Sequence, residues 1–368
     1  MERLQNNGVG AEMRYLKWNS DVIGAIGADG DVQFSQPDYN TVVRTYTKGR
    51  AAWSPEEFAA FLSERIVSRD RRDIERILYR CGLSEYDVMR IAAVTRGMHP
   101  KDLLWLARAE DERYEDAMTA VFASVFTKHA DLVGDSVDSP EGYNIKRYGV
   151  HDGKYGIYKQ RISPLTTDVE SEVAVCLLAQ RMGVPCCPAV KVDADTVFSE
   201  FLYDFSKEYI VHFRRIVGDG RTDDEYADLV SARPQYKDDI VRMVVLDFVT
   251  RQDDRHLSNI AVKVTEGGEA FYPLFDNGRS LFYEDREDFV RAAAGDPIRY
   301  ATAFGPVGTY HDALLEIAKD TDIGALVDLE IAEGEIRDIL VRADFAGYRL
   351  EGAAAWIENA LGLARTLL

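Results

Sequence analysis

Between Leu246 and Val264 the chain reads LDFVTRQDDRHLSNIAVKV, an apolar segment interrupted by two aspartates, an arginine, a histidine and an asparagine. Asp254 and Asn259 stand five positions apart, and Asp276 follows seventeen positions after Asn259, in PLFDNGRS. This set suits phosphoryl transfer from ATP. One aspartate lies beside the attacking hydroxyl, while an amide and a second carboxylate offer hard oxygen ligands to Mg²⁺. Such chemistry also needs a cation on the phosphates, oriented by a glutamate from a helix. Lys159 in KYGIYKQR shares a strand face with Tyr155 and Ile157, so its ammonium projects from an apolar surface; Arg161, on the same face, is the alternative. Glu170 and Glu172 are the candidate glutamates, and periodicity does not separate them. Thr167 and Glu170 have the spacing of a capping box, which gives Glu170 a task at the helix start and leaves Glu172 for Lys159.

These residues need elements to position them. Apolar positions 240, 241, 244, 245 and 248 form the stripe of a buried helix, after which RQDDRHLSN reads as a loop and IAVKV as a strand. Such a loop, held between two buried elements, is rigid. Asp276 is read as ending an apolar strand. Upstream, YNIKRYGVHDGKYGIYKQR reads as a hairpin turning at HDGK, TDVESEVAVCLLAQRMG as a helix, and AVKVDADTVFSEFLYDF as a strand pair. The N-terminal part opens with short strands in MRYLKW and VIGAIGADGDVQF. From Trp53 to about His129 it turns helical: SPEEFAAFLSERI starts with a serine cap and a first-turn proline, and RRDIERILYRCGL, SEYDVMRIAAVTRG, HPKDLLWLA and YEDAMTAVFASVF continue the series. Breakers in DLVGDSVDSPEGYN mark a boundary. The organisation is therefore α+β: an accessory module over residues 1–130, a small β-rich lobe over 131–205 and a helical lobe over 206–368, a bilobal arrangement with the catalytic loop in the helical part.

A chain of 368 residues can hold two or three cores, and its composition is that of an ordinary globular protein. No apolar stretch is long enough to span a bilayer, and MERLQNNGVG lacks a signal-peptide pattern. Cys81, Cys176, Cys186 and Cys187 show no CxxC spacing, which argues against zinc or a disulfide framework and for reduced thiols in the cytoplasm. The net charge of −19 opposes nucleic acid and anionic membranes as general partners. The stretch from Glu64 to Glu110 has ten basic and eight acidic residues, the pattern of a solvated helical face. A helix-turn-helix reading of GLSEYDVMRIAAVTRGMHPKDLLWLA is countered by this acidity and by Leu103, Leu104 and Trp105, which read as core.

DDRHLSNI followed by PLFDNGRS resembles the HipA-like kinase family, with a more distant similarity to phosphatidylinositol kinases in the DRHxxN loop. The resemblance extends to EGYNIKRYGVHDGKYGIYKQ, similar to the family's phosphate-loop strand pair, and to SEVAVCLLAQRMGVP, similar to its glutamate-bearing helix. RDRRDIERILYRCGLSEYDV and TRGMHPKDLLWL are similar to the N-terminal module of many such proteins. It implies a protein-kinase-like fold acting on ATP with Mg²⁺. Asp254 would be the base, Asn259 and Asp276 metal ligands, Lys159 the phosphate-binding cation and Glu172 its orienting partner. The backbone near Glu200 to Leu202 would hold the adenine, and His256 would be a structural member of the loop. The implied activity is Ser/Thr phosphorylation of a protein substrate, with an antitoxin-like protein as partner. Regulated members carry a serine in the phosphate loop; here Ser136 and Ser139 are the nearest equivalents and neither matches it. The rival readings are a catalytically silent toxin–antitoxin-type binding protein and a lipid or small-molecule kinase. Singly, DDRH is a solvated loop and Lys159 a surface lysine; the ordered set carries the enzyme reading.

Overall fold

The computed structural model describes residues 13–71, 73–122, 132–133, 146–204, 207–217, 226–301 and 310–367. Ser136 and Ser139 lie outside them. The chain divides into two compact units, one of Met1–Tyr158, Tyr203–Val211 and Val264–Gly268, the other of Lys159–Leu202, His212–Lys263 and Glu269–Leu368.

In the first unit the elements are β1 (Tyr15–Trp18), β2 (Asp21–Ile26), β3 (Val32–Phe34), α1 (Thr41–Thr47), β4 (Ala52–Trp53), α2 (Pro55–Ser63), α3 (Ile74–Arg80), α4 (Val88–Thr95), β5 (Leu104–Ala107), α5 (Tyr114–Phe122), β6 (Lys146–His151) and β7 (Lys154–Gln160), whose last two residues open the second unit. A five-stranded antiparallel sheet runs β4-β3-β2-β1-β5. The serine cap on α2 forms as its sequence dictates: Ser54 Oγ accepts the Glu57 amide, and Glu57 returns the bond to the Ser54 amide, with Pro55 in the first turn.

One expected helix is a strand. LWLA (Leu104–Ala107) forms β5, paired with β1 in the register Trp18↔Leu104 and Lys17↔Trp105, and all four of its residues are buried. A short apolar run buried on both faces has no alternation to betray it, so its sequence cannot be told from a core helix. The helix pair on which a helix-turn-helix reading depended is thereby absent. The β6–β7 turn is the hairpin that HDGK predicts, with Asp152 at φ +49° and Gly153 at φ +77°, the left-handed pair of a tight two-residue turn.

The second unit continues with α6 (Asp168–Met182), β8 (Ala189–Asp193), β9 (Thr196–Glu200), β10 (Tyr209–His212, leaving the first unit at its end), α7 (Phe213–Val217), α8 (Tyr226–Ala232), α9 (Lys237–Thr250), β11 (Ala261–Thr265) and β12 (Gly268–Phe271). Six further helices follow: α10 (Glu287–Ala293), α11 (Pro297–Tyr300), α12 (Tyr310–Ile317), α13 (Ile323–Leu326), α14 (Glu333–Arg342) and α15 (Gly347–Arg365). Strand order is β7-β9-β8, with β8 and β9 antiparallel. Helix α9 is buried on all sides: Ile240 through Thr250 are all core except Arg242. It packs against α8, α12, α13 and α15. On α15, Gly352 permits the close approach of α10, because a Cβ there would collide with Val290. Among the described residues no helix is long and apolar enough to cross a membrane.

Two local expectations differ. The strand expected to end at Asp276 stops at Phe271; only Leu274 continues as a single bridge to Cys186, and Asp276 itself sits at φ +57°. Short polar side chains tolerate this left-handed backbone better than most, which makes an aspartate possible there. The Thr167–Glu170 capping box does not form, since Thr167 makes no side-chain cap bond. Glu170 instead accepts a two-pronged bond from Arg161 at 2.7 Å on each oxygen and a third from Lys191 at 3.0 Å. Two cations outcompete a neutral amide for a carboxylate.

Candidate active site

Lys159 lies near the end of β7 with its ammonium buried. Nζ donates to Glu172 Oε1 of α6 at 2.8 Å and to Asp276 Oδ1 at 3.0 Å. Ser199 of β9 donates to the same Glu172 oxygen at 3.0 Å, while Glu172 Oε2 is buried with no hydrogen-bond partner among the described residues. Burial opposes the charge on Lys159, but Asp276 and Glu172 outweigh it and raise its pKa above the ordinary lysine value. The two candidate cations thus sort with the two candidate glutamates, Lys159 with Glu172 and Arg161 with Glu170. Gly278 lies against α6, where a Cβ would meet the Asp168 carbonyl at 3.2 Å and Glu172 Oε2 at 3.3 Å. The Asn-Gly after Asp276 is therefore what brings that segment up to the glutamate.

Helix α9 ends at Arg251, whose φ of +49° turns the chain into the loop. Gln252, fully buried, accepts the Asp254 amide at 2.9 Å and donates to the Asp276 carbonyl at 3.4 Å. Asn259 Nδ2 donates to the Asp254 main-chain carbonyl at 2.8 Å, so the Asn259 side chain is tied to the backbone of Asp254 across a tight loop. His256 Nδ1 accepts the Ser258 amide at 3.2 Å, the scaffold role the sequence suggested. The Asp254 carboxylate is about a third exposed, with Oδ1 at 3.7 Å from Arg279 and 4.0 Å from His256 Nε2. Arg279 also reaches Asp253 at 3.5 Å and stacks on Tyr283. Burial pushes the Asp253 carboxyl up to about 6, against the opposing pull of Arg279.

Underneath, Arg255 is wholly buried and salt-bridged to Asp247 of α9, and it reaches the carbonyls of Asn259 and Phe275 and the side chain of Asn277. Asn277 in turn donates to Cys186 Sγ at 3.3 Å. All four cysteines are free thiols.

The structure places Lys159, Glu172 and Asp276 in direct contact, and links Asp254 and Asn259 to them through Gln252 and Arg255. Glu200 and Leu202, one and three residues beyond Ser199, make backbone bonds of their own. The Glu200 amide donates to the Pro188 carbonyl at 2.8 Å. The Leu202 amide donates to the Tyr272 phenol at 3.0 Å, and its carbonyl accepts from Lys263 at 3.3 Å. Gln252, Arg255, Asp247, Ser199 and Arg279 escaped the sequence reading. A signal existed for one pair: Asp247 interrupts a helix buried all round, and a buried carboxylate demands a cation.

The donor set fits a hard divalent cation. The Asn259 nitrogen is committed to the Asp254 carbonyl, which leaves Oδ1 as the acceptor atom of that amide, and Asp276 brings a carboxylate that already lies against Lys159. Glu172 and Asp276 are two carboxylates on one lysine, and their oxygens are of the hard type that Mg²⁺ prefers.

No family model and no curated protein sequence matches the chain. Solved structures do match its three-dimensional arrangement. The Helicobacter pylori proinflammatory kinase CtkA superimposes with a TM-score of 0.51 at 14% identity, covering 61% of this chain and 90% of that one. A chain of the Shewanella oneidensis MR-1 toxin–antitoxin complex of HipA, HipB and operator DNA gives 0.50 at 12% identity, covering 96% of this chain and 97% of that one. The fold is that of the HipA-like kinases. In a HipA-like kinase fold the mixture of helices and antiparallel sheets described above is accounted for over nearly the full length.

Proposed function

We propose that this protein is a Mg²⁺- and ATP-dependent kinase of the HipA-like type that phosphorylates Ser or Thr of a protein substrate. The observation that carries the reading is the buried lysine bonded at once to a helix glutamate and to Asp276, beside a loop whose base and amide are already tied together. Residues 1–130 would be an accessory module and 131–368 the two kinase lobes.

Asp254 accepts the proton of the substrate hydroxyl, and the Arg279 guanidinium lies 3.7 Å from that carboxylate. Lys159 transfers its second bond from Asp276 to phosphate oxygens while Glu172 and Ser199 retain its position. Asn259 and Asp276 would hold Mg²⁺, which when bound neutralises charge developing on the transferred phosphoryl group. The Glu200–Leu202 backbone would receive the adenine, the Leu202 amide exchanging the Tyr272 phenol for the base edge. The HipA relative is found with HipB and operator DNA, which supports an antitoxin-like protein partner here.

Purified Asp254→Asn and Asp276→Asn variants should each lose at least about 10³-fold in transfer of radiolabel from ATP while still folding cooperatively. Label appearing in lipid extracts instead of protein would favour the lipid-kinase alternative. Undiminished transfer by either variant, or none by the unaltered protein with ATP and Mg²⁺ across a cell lysate, overturns the assignment.

A further inference from the structure

We infer that the Asp247–Arg255 pair is a positioning device that holds Asn259 and Asp276, seventeen residues apart in sequence, in fixed register for a shared cation. The inference rests on the kinase reading above and assigns to it two residues that touch neither substrate nor metal.

A guanidinium has five N–H donors, and here each has an acceptor. Nε donates to Asp247 Oδ2 at 3.0 Å. One Nη2 proton goes to Asp247 Oδ1 at 3.0 Å and the other to Asn277 Oδ1 at 2.6 Å. The Nη1 protons reach the Phe275 carbonyl at 2.7 Å and the Asn259 carbonyl at 3.3 Å. Asp247 sits on α9, whose residues around it are all buried, so the anchor is rigid.

The targets are informative. Phe275 and Asn277 flank Asp276 on both sides, and Asp276 has a left-handed backbone, uncommon for a non-glycine residue even though aspartate tolerates it. Arg255 grips both neighbours and, with the same group, the main chain of Asn259. A pair present only to stabilise the core has no reason to end on these three acceptors. Hydrophobic residues of similar volume would serve a core as well or better. Lysine cannot substitute, having one nitrogen and no fork.

The test uses the full chain. In the double variant Asp247→Leu/Arg255→Met both buried charges leave together, so no carboxylate is stranded. Amide hydrogen exchange without nucleotide should quicken at least tenfold in residues 254–260 and 275–279 and stay unchanged in the middle of α15. With ATP present, the Mn²⁺ concentration for half-saturation, read by electron paramagnetic resonance, should rise at least tenfold, while metal-free ATP affinity changes less than threefold. Should the double variant lose its cooperative melt, Asn277→Ala, which deletes one bond beside Asp276, carries the same comparison in residues 275–279 and in Mn²⁺ uptake. Unchanged protection in the loops, or looser loops with unchanged Mn²⁺ half-saturation, overturns the inference and leaves the kinase reading intact. If the unaltered protein takes up no Mn²⁺ with ATP, the kinase reading falls, and the inference with it.

Discussion

Replacing Lys159 by methionine tests whether the ion cluster is the buried unit described. Glu172 is 2% exposed, and its hydrogen-bonded partners are Lys159 at 2.8 Å and Ser199 at 3.0 Å. At that separation the gross attraction is about 6 kcal/mol for an effective dielectric of about 20. Desolvation of both ions cancels part of it. Deletion of one partner of a buried pair nevertheless costs about 3–5 kcal/mol, because the other charge is left stranded. Lys159→Met should therefore lower stability by that amount in metal-free buffer. Glu172→Gln should cost about 1–2 kcal/mol, since Lys159 keeps Asp276 at 3.0 Å. The double variant should be more stable than Lys159→Met alone, with a coupling of about 2–4 kcal/mol. Urea denaturation followed by circular dichroism at pH 7.5 measures all four corners of the cycle. A loss below about 1 kcal/mol for Lys159→Met, or additive single effects, would refute the reasoning, since exposed pairs behave in that way.

Two further outcomes follow from the titrating groups. Burial holds the Asp253 carboxyl up at about 6, so the folded chain keeps a proton that the unfolded chain releases near pH 4; stability falls as pH rises through that window. Asp253→Asn should be more stable than the parent by about 2–3 kcal/mol at pH 7.5 and equal to it near pH 4, and denaturation at both pH values checks this. The hydrogen bond from Cys186 brings the Cys176 thiol down to about 7 against the opposing effect of burial, whereas burial carries Cys187 up to about 12. Iodoacetamide should label Cys176 before Cys187, at a rate that climbs through pH 7; peptide mass spectrometry showing Cys187 first would contradict the arrangement.

Much of the fold could be read from the residues. The α2 cap, the Asp152–Gly153 turn, the β8–β9 pair and the buried stripe of α9 are local features, and local rules find them. β5 could not be read, because LLWLA is decided by the strand beside it and carries no period of its own. The contacts among candidate site residues show the same division. The spacing of Asp254 and Asn259 lies within one loop, and their bond is local. The capping box that would set Glu170 apart from Glu172 does not form; Lys159 contacts Glu172, while Glu170 is engaged by Arg161 and Lys191. Gln252 and Arg255 join segments some twenty residues apart, and such joints become visible only when the chain is folded.

The route of the backbone has a consequence for anyone who would dissect this molecule. The first unit takes back two short stretches from far downstream, 203–211 and 264–268. The earlier of them sets Tyr209 edge-on against Trp18, closes the Pro100 carbonyl with the Tyr203 phenol and caps the Lys101 carbonyl with the Ile210 amide. A scissor cut after Tyr158 would thus strip an aromatic neighbour from Trp18 and bare two carbonyls. The first unit is drawn from three separate stretches of chain, so a swap of it for a homologue's must carry its distant threads along.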